Sequence, residues 1–248
     1  MAPRQRIDRL LVERGLFESR AKAQAAIAAG RVTANDIVVT RASDEVPTDA
    51  RVRAEPAHPW VSRGGVKLAA ALDHFRADPA FDPQGRVCLD VGASTGGFTQ
   101  VLLARGARRI YALDVGRAQL HQSLRAVPQV LSLEATDIRT LDPASLPEEP
   151  RCVTIDVSFI SLKLVLPAAL ALAATPACLL ALIKPQFEAG RGDVKKKGIV
   201  RDPLVHARVC AEVAALVAGL GWTVAGTIPS AIAGGDGNHE FFIGARLG

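Results

Sequence analysis

The chain has 248 residues, 49% of them hydrophobic, with 30 basic and 25 acidic side chains and a formal charge of +5. This composition excludes a disordered chain, and the length allows one large or two smaller domains with a sizeable core. The mild basic excess permits a polyanionic partner without requiring one. Arg4, Arg6 and Arg9 are followed by no apolar core region, so no leader peptide is expected. Cys88, Cys152, Cys178 and Cys210 are far apart, form no C-x-x-C pair and sit in apolar runs, as buried thiols in a reducing cytoplasm would.

Residues 1–55 read as a separate module. Arg6–Val12 has apolar positions at 7, 10 and 11 and predicts a helix that Gly15 ends at a left-handed cap. Ser19 caps a second helix, Arg20 to Ala29, closed by Gly30. From Val32 an alternating stretch predicts a hairpin with Asn35-Asp36 as its turn. Basic residues crowd this segment, among them Arg4, Arg6, Arg20 and Lys22, and suit either a solvated helix face or phosphate binding. The pattern Arg-Ile-Asp-x-Leu-Leu, then Ser19-Arg20-x-x-Ala23, then Ile27-x-x-Gly30-x-Val32 resembles the S4 RNA-binding domain. The resemblance departs at Thr33-Ala34-Asn35-Asp36, where the family usually shows Val-Asn-Gly.

Residues 56–61 contain two prolines and read as a stiff linker. A larger domain then fills 62–248. Ser62-Arg63-Gly64-Gly65 leads into a helix from Val66 to His74 with Leu68, Leu72 and Phe75 as its buried stripe, and Lys67 off that stripe. Strands are predicted at 86–91, 109–114, 129–133, 151–156, 178–183, 222–228 and 239–246, and helices near 97–105, 117–126, 162–174 and 203–219. Leu162 to Ile183 is almost continuously apolar, but Pro176 splits it into a helix, from roughly Pro167 to Ala174, and a buried strand, so no membrane span is expected. Asp202-Pro203 marks the start of the last helix.

Two phrases carry the first chemical signal. Val87-Cys88-Leu89-Asp90-Val91-Gly92-Ala93-Ser94-Thr95-Gly96-Gly97 reads as strand, glycine-rich turn and helix start, and Ile110–Gly116 as a second strand ending in Asp114. Strand, glycine turn, helix, strand and acid outline a nucleotide-type cofactor site, with Asp114 placed to hold two ribose hydroxyls. The turn is not the G-x-G-x-x-G of nicotinamide enzymes. Ligands of open α/β sheets bind beyond the carboxyl ends of the strands. There the sequence sets Asp90, Asp114, Asp137, Asp156 and Lys184, with Glu240 opening the last strand. Lys184 follows a strand too apolar to favour a lone charge, and Asp156 on the neighbouring strand is its natural partner. That pair serves either as a structural ion pair or as a proton-handling group.

Lys67, Asp156, Lys184 and Glu240 match the K-D-K-E pattern of FtsJ-like ribose 2′-O-methyltransferases. Asp-Val-Gly-Ala-Ser-Thr-Gly-Gly-Phe-Thr, Asp-Val-Gly-x-x-Gln-Leu-His, Asp-Val-Ser-Phe-Ile-Ser-Leu and Lys-Pro-Gln-Phe-Glu, behind an S4 module, resemble the TlyA (haemolysin A-like) family over nearly the whole chain. The resemblance implies an α/β class I, Rossmann-like methyltransferase fold with a seven-stranded, mostly parallel sheet behind a small α+β domain. It implies S-adenosylmethionine as cofactor, cytidine 2′-hydroxyls of ribosomal RNA as substrate, ribosomal RNA or ribosomal subunits as partner, and no metal. The implied catalytic set is Lys67, Asp156, Lys184 and Glu240. The implied cofactor contacts are Asp90, Gly92, Ser94, Thr95, Gly96, Gly97, Phe98, Asp114 and Asp137. RNA contacts are expected at Arg4, Arg6, Arg20, Lys22, Arg63, Lys195 and Lys196, the last two in a basic loop just after Lys184. Gln100 and Thr136-Asp137 depart from the usual family residues near the cofactor. Whether Lys184 is the base or an orienting group stays open, because Lys67 nearby lowers and Asp156 raises its pKa. A membrane-active cytolysin and a non-catalytic RNA-binding assembly protein are the competing functions.

Overall fold

The computed structural model describes residues 2–190, 192–194 and 198–248. The chain falls into two compact units, 1–59 and 60–248.

In the first unit, β1 (Arg4–Arg6) runs into α1 (Ile7–Glu13), followed by α2 (Arg20–Ala28), β2 (Val32–Ala34), β3 (Ile37–Val38), β4 (Glu45–Pro47) and β5 (Val52–Ala54). The first helix begins one residue later than its apolar spacing predicts, because Arg4–Arg6 pairs antiparallel with β4. Gly15 and Gly30 have positive φ (69° and 68°) just beyond the two helices, and Ser19 Oγ accepts a hydrogen bond from the Lys22 amide. Asn35 and Asp36 both take positive φ (51° and 65°) between β2 and β3, the backbone of a two-residue type I′ hairpin. The departure from the family's usual turn residues therefore leaves the hairpin intact. Ile7, Leu11, Ala23, Ala26, Ile27 and Val32 pack as the core of this unit.

The second unit opens with α3 (Arg63–Phe75), three residues ahead of the expected start. Gly64 and Gly65 belong to the helix because its first turn presses against Trp60, where a Cβ on Gly65 would lie 2.5 Å from the Trp60 side chain. There follow β6 (Val87–Val91), α4 (Gly97–Ala104), β7 (Arg109–Leu113), α5 (Gln122–Arg125), β8 (Val130–Leu133), β9 (Cys152–Ile155), α6 (Leu162–Ala171), β10 (Ala177–Ile183), α7 (Pro185–Glu188), α8 (Pro203–Gly219), β11 (Thr223–Pro229) and β12 (Phe241–Leu247). The helix expected at 117–126 shrinks to α5. Glu134 accepts hydrogen bonds from the amides of Ala118, Gln119 and Leu120, and Ala118 has a φ of +53°. Those amides are spent on a carboxylate, and a left-handed residue breaks the helical run. Helix α6 starts at Leu162, as the helix read near 162–174 does, and carries Pro167 inside it, five residues ahead of the narrower reading that opens the helix at Pro167.

The sheet order is β11-β12-β10-β9-β6-β7-β8. Strands β6 to β10 are parallel, and β12 inserts antiparallel between β10 and β11. This is the doubly wound α/β sheet of class I methyltransferases, with an antiparallel return. All seven residues of β10 are buried, because helices cover both faces. One face packs Val165 and Leu166 of α6 and Val209 and Val213 of α8. The other packs Leu68, Leu72 and Phe75 of α3 and Phe98 of α4. Among the described residues no helix is long and apolar enough to cross a membrane. Cys88, Cys152 and Cys178 are buried and stand in register across β6, β9 and β10, while Cys210 on α8 is only half-buried, contrary to the reading that buries all four.

Candidate active site

Strand order reverses at β6, whose neighbours are β7 on one side and β9 on the other. A crevice at such a point is where open α/β sheets take ligands. At the end of β9, Asp156 Oδ1 lies 2.6 Å from Nζ of Lys184, which follows β10. Asp156 Oδ1 is buried and accepts no aligned hydrogen bond. Lys184 Nζ also donates to Ser158 Oγ at 2.8 Å. A second pair joins α3 to the start of β12, with Lys67 Nζ donating to Glu240 Oε2 at 2.5 Å. Lys67 and Lys184 are each only 8% exposed, so Lys67, off the apolar stripe of its helix, is a buried cation. The four residues implied as catalytic thus form two lysine–carboxylate pairs carried on four elements. Asp236 adds a third carboxylate. Burial works against its charge, yet hydrogen bonds from Asn238 and the charge of Lys184 hold it below its ordinary pKa.

The glycine turn follows β6, beside Asp156. Gly92 has φ +83°, and a Cβ there would meet the Asp156 carbonyl oxygen at 2.4 Å. Gly96 has φ +98°, and a Cβ there would strike Leu124 at 2.3 Å. Only glycine fits either position. Asp114, just past β7, accepts from the Ser94 amide through Oδ2 (2.8 Å) and from the Gly116 amide through Oδ1 (2.7 Å). Each oxygen keeps a lone pair for a further donor. Val115 beside it is 72% exposed, an apolar surface at the lip of the crevice. Asp90 lies beneath the turn, fully buried, and accepts from Thr99 (2.6 Å) and Thr154 (3.2 Å). Burial pushes its pKa up to about 7 against those two hydroxyls, and the Asp156 charge adds to the rise. Phe98 is buried against Phe242, so its ring faces the core and not the crevice. Asp137 is held by the Arg139 guanidinium (Nη2 2.6 Å), and Gln100 accepts from the Val61 amide.

The FtsJ-like methyltransferase family model matches residues 60–247, and the S4 domain model matches residues 5–52. The chain is 44% identical over 248 residues to the 16S/23S rRNA (cytidine-2′-O)-methyltransferase TlyA of Mycobacterium tuberculosis, covering 99% of this chain and 91% of that protein. This chain belongs to the TlyA family of FtsJ-like methyltransferases. Another relative, hemolysin A of Brachyspira hyodysenteriae, is 36% identical over 237 residues, 95% of this chain and 97% of its own. A Streptococcus thermophilus protein solved under a provisional hemolysin label superposes with a TM-score of 0.76 at 37% identity, covering 100% of this chain and 90% of that one.

The phrases shared with the TlyA family acquire physical roles here, several of which the sequence alone does not disclose. In Asp156-Val-Ser-Phe-Ile-Ser-Leu, Ser158 receives Lys184, and Phe159 stands 91% exposed at φ +65° beside the Phe187 ring (centroids 5.2 Å apart). In Lys184-Pro-Gln-Phe-Glu, Glu188 accepts from Ser161 Oγ (2.5 Å) and the Leu162 amide (2.7 Å), tying the loops after β9 and β10 together. Asn238, fully buried, accepts from the Val200 amide and donates to the Gly198 carbonyl and Asp236, which braces the approach to Glu240. Of the residues expected on RNA, Arg6 and Arg20 both pair with buried Asp8, Lys22 pairs with Glu18, and Arg4 and Arg63 donate to the Glu45 and Ala233 carbonyls. Lys195 and Lys196 lie outside the described residues.

Proposed function

We propose that this chain transfers a methyl group from S-adenosylmethionine to the ribose 2′-hydroxyl of cytidine in ribosomal RNA. The observation that carries the reading is the pair of buried lysine–carboxylate contacts at the carboxyl end of the sheet, next to a glycine cradle with an acid at its rim. The relatives' names supply the substrate class. On this reading residues 1–55 grip RNA, 56–61 link, 62–248 perform the transfer, and the protein works with ribosomal subunits in the cytoplasm.

The crevice fits the cofactor's nucleoside. At Gly92, Gly96 and Gly97 the turn packs too closely on Asp156, Leu124 and Ser62 to admit a Cβ, which holds its backbone, with Ser94 and Thr95, at the ends of β6 and β7 where a nucleoside would lie. Asp114 has free lone pairs for two ribose hydroxyls, and exposed Val115 offers an apolar face to a base. Asp90 and Phe98 act from beneath, fixing the turn. Asp137 reaches the cofactor only by sharing its bond with Arg139. When bound, S-adenosylmethionine supplies an electrophilic methyl group on a sulfonium.

A ribose 2′-hydroxyl is a weak acid and weak nucleophile, so the protein must align it and handle its proton. Lys184 Nζ donates to Ser158 and lies in ion-pair contact with Asp156, which leaves it capacity for the 2′-oxygen. In its neutral form Lys184 would accept the hydroxyl proton at Nζ while the 2′-oxygen displaced the methyl carbon from the sulfonium sulfur, leaving a neutral thioether. Asp156 then stabilises the resulting ammonium. Lys67 and Glu240 hold the ribose from the other side. Alignment of this kind contributes about 7–11 kcal/mol and the proton transfer a factor of about 10²–10⁴. Phe159, pushed out of the fold beside Lys184, is a stacking surface for the target base. The 2′-oxygen itself lets the site select RNA over DNA.

The test is transfer of labelled methyl from S-adenosylmethionine to ribosomal subunits, with mapping of the modified position. Appearance of 2′-O-methylcytidine is expected. Asp114→Ala should weaken cofactor binding measured by calorimetry without unfolding the protein. No transfer to either subunit, or label on a base, overturns the reading.

A further inference from the structure

Helix α3 and the end of β11 enclose a cavity of about 330 Å3 whose lining includes Lys67, Ala70 and His74 on one side and Ile228, Ala231 and Phe242 on the other. Its place follows from the topology. Strand β12 runs antiparallel to β10, and β11 antiparallel to β12. The start of β12 and the end of β11 therefore lie at the same end of the sheet as the carboxyl ends of β6, β9 and β10. Along that rim the glycine cradle stands over β6 and β7. The two lysine–carboxylate pairs stand over β9, β10 and β12, and the cavity over β12 and β11. Lys67 belongs to both neighbours. It lines the cavity, and its Nζ meets Glu240 in the reacting centre.

We propose that this cavity receives a nucleobase adjoining the target nucleotide in the RNA strand. The proposal rests on the RNA-methylation reading above. The volume is at the small end of ligand pockets and suits one nucleoside-sized group. The apolar lining suits the face of a planar ring, while Lys67 and His74 supply donors for its polar edge or the adjoining phosphate. The half-buried Ala70 and exposed Ala231 leave the space open where larger side chains would fill it. With the cofactor cradle on the β7 side of the pairs, the strand's free path runs toward β11. A base seated there fixes the ribose torsion on the side away from the cofactor, where in-line attack needs it fixed.

The experiment uses the full chain and a short single-stranded RNA with a central cytidine, beside the same RNA made abasic at the two positions flanking that cytidine. His74 imidazole resonances are followed by NMR, and methyl transfer is measured on both RNAs. The intact RNA should shift the His74 signals and the abasic RNA should not. Ala231→Trp, which fills the cavity from an exposed position, should raise KM for the intact RNA about tenfold, leave kcat within a few-fold and leave the abasic RNA unaffected. His74→Ala should act in the same direction more weakly. Equal His74 shifts with both RNAs, or an unchanged KM in Ala231→Trp, overturns the assignment while methyl transfer stands. So does free adenosine or cytidine binding the cavity as tightly as the RNA does, which marks a small-molecule site. A His74 shift confined to intact RNA, with no methyl transferred to that RNA or to ribosomal subunits, keeps the assignment and fells the catalytic reading instead.

Discussion

Asp8 in the first unit and Asp156 in the second are both carboxylates within reach of basic side chains, and they are built to opposite ends. Asp8 is fully buried and accepts from Arg6 (3.1 Å to each oxygen), Arg20 (2.7 Å) and Gln24 (2.8 Å). Burial alone would raise its pKa, but those donors outweigh it and hold Asp8 far below the carboxylate range. Both of its oxygens are engaged inside the fold, Oδ2 by three side chains. Asp156 touches one ammonium, accepts no aligned hydrogen bond at Oδ1, and faces a crevice. The difference teaches that a buried ion pair marks a site only when it leaves capacity unspent. A saturated one marks architecture.

The sharpest way to break that contrast is to strip the cations from Asp8. Arg6→Ala with Arg20→Ala leaves a buried carboxylate with only Gln24, and should cost the first unit about 3–5 kcal/mol in denaturant unfolding of the full chain. Because the folded pKa is depressed, the Asp8 contribution is present above the unfolded value near 4 and fades as pH falls below it. If the double variant unfolds at the wild-type midpoint, the two arginines are free for RNA and the contrast fails. Their loss is accordingly a poor measure of phosphate binding, since it removes structure first.

On the other side of the comparison, Lys184→Ala should lower single-turnover methylation by about 10²-fold or more at saturating RNA and cofactor, with cofactor affinity nearly unchanged. A rate within a few-fold of wild type makes the Asp156–Lys184 pair as structural as Asp8.

Asp90 supplies an intermediate case, a buried carboxyl with hydroxyl donors and no cation. The folded protein keeps its proton up to about pH 7, and the unfolded chain releases it near 4. Stability should therefore decline as pH rises from about 4 to 7 and then level off. Asp90→Asn should reduce the difference in unfolding free energy between pH 5 and pH 8 by about 1 kcal/mol or more. Equal losses in both proteins would mean that Asp90 is ionised within the fold.

Much of this arrangement was legible in the sequence, for definite reasons. The strands fall within one or two residues of their expected limits, because apolar runs such as Cys178–Ile183 are bounded by proline, glycine or charge. The Asp156–Lys184 pair follows from two adjacent parallel strands ending in opposite charges. The Lys67–Glu240 pair has no such local sign. It depends on β12 inserting beside β10, a sheet order that no spacing declares. The helix expected at 117–126 failed because the deciding group, Glu134, lies beyond the segment it unravels. Ser158, Phe159 and Glu188 sat inside the family phrases, yet only geometry tells a residue that receives a lysine from one that ties two loops or stands in solvent.

The row of Cys88, Cys152 and Cys178 across three central strands gives the protein an internal clock. Their sulfurs lie at one level of the sheet with no path to water, and the local surroundings hold the Cys152 and Cys178 thiols well above their ordinary pKa. An aqueous thiol reagent can consume them only when the covering layer of α3 and α4 lifts from the sheet. Cys210, on the half-buried face of α8 with its pKa raised to about 11 by burial, ticks separately. The rate at which three sulfurs disappear together, set against the fourth, times the opening of the scaffold that carries the catalytic pairs.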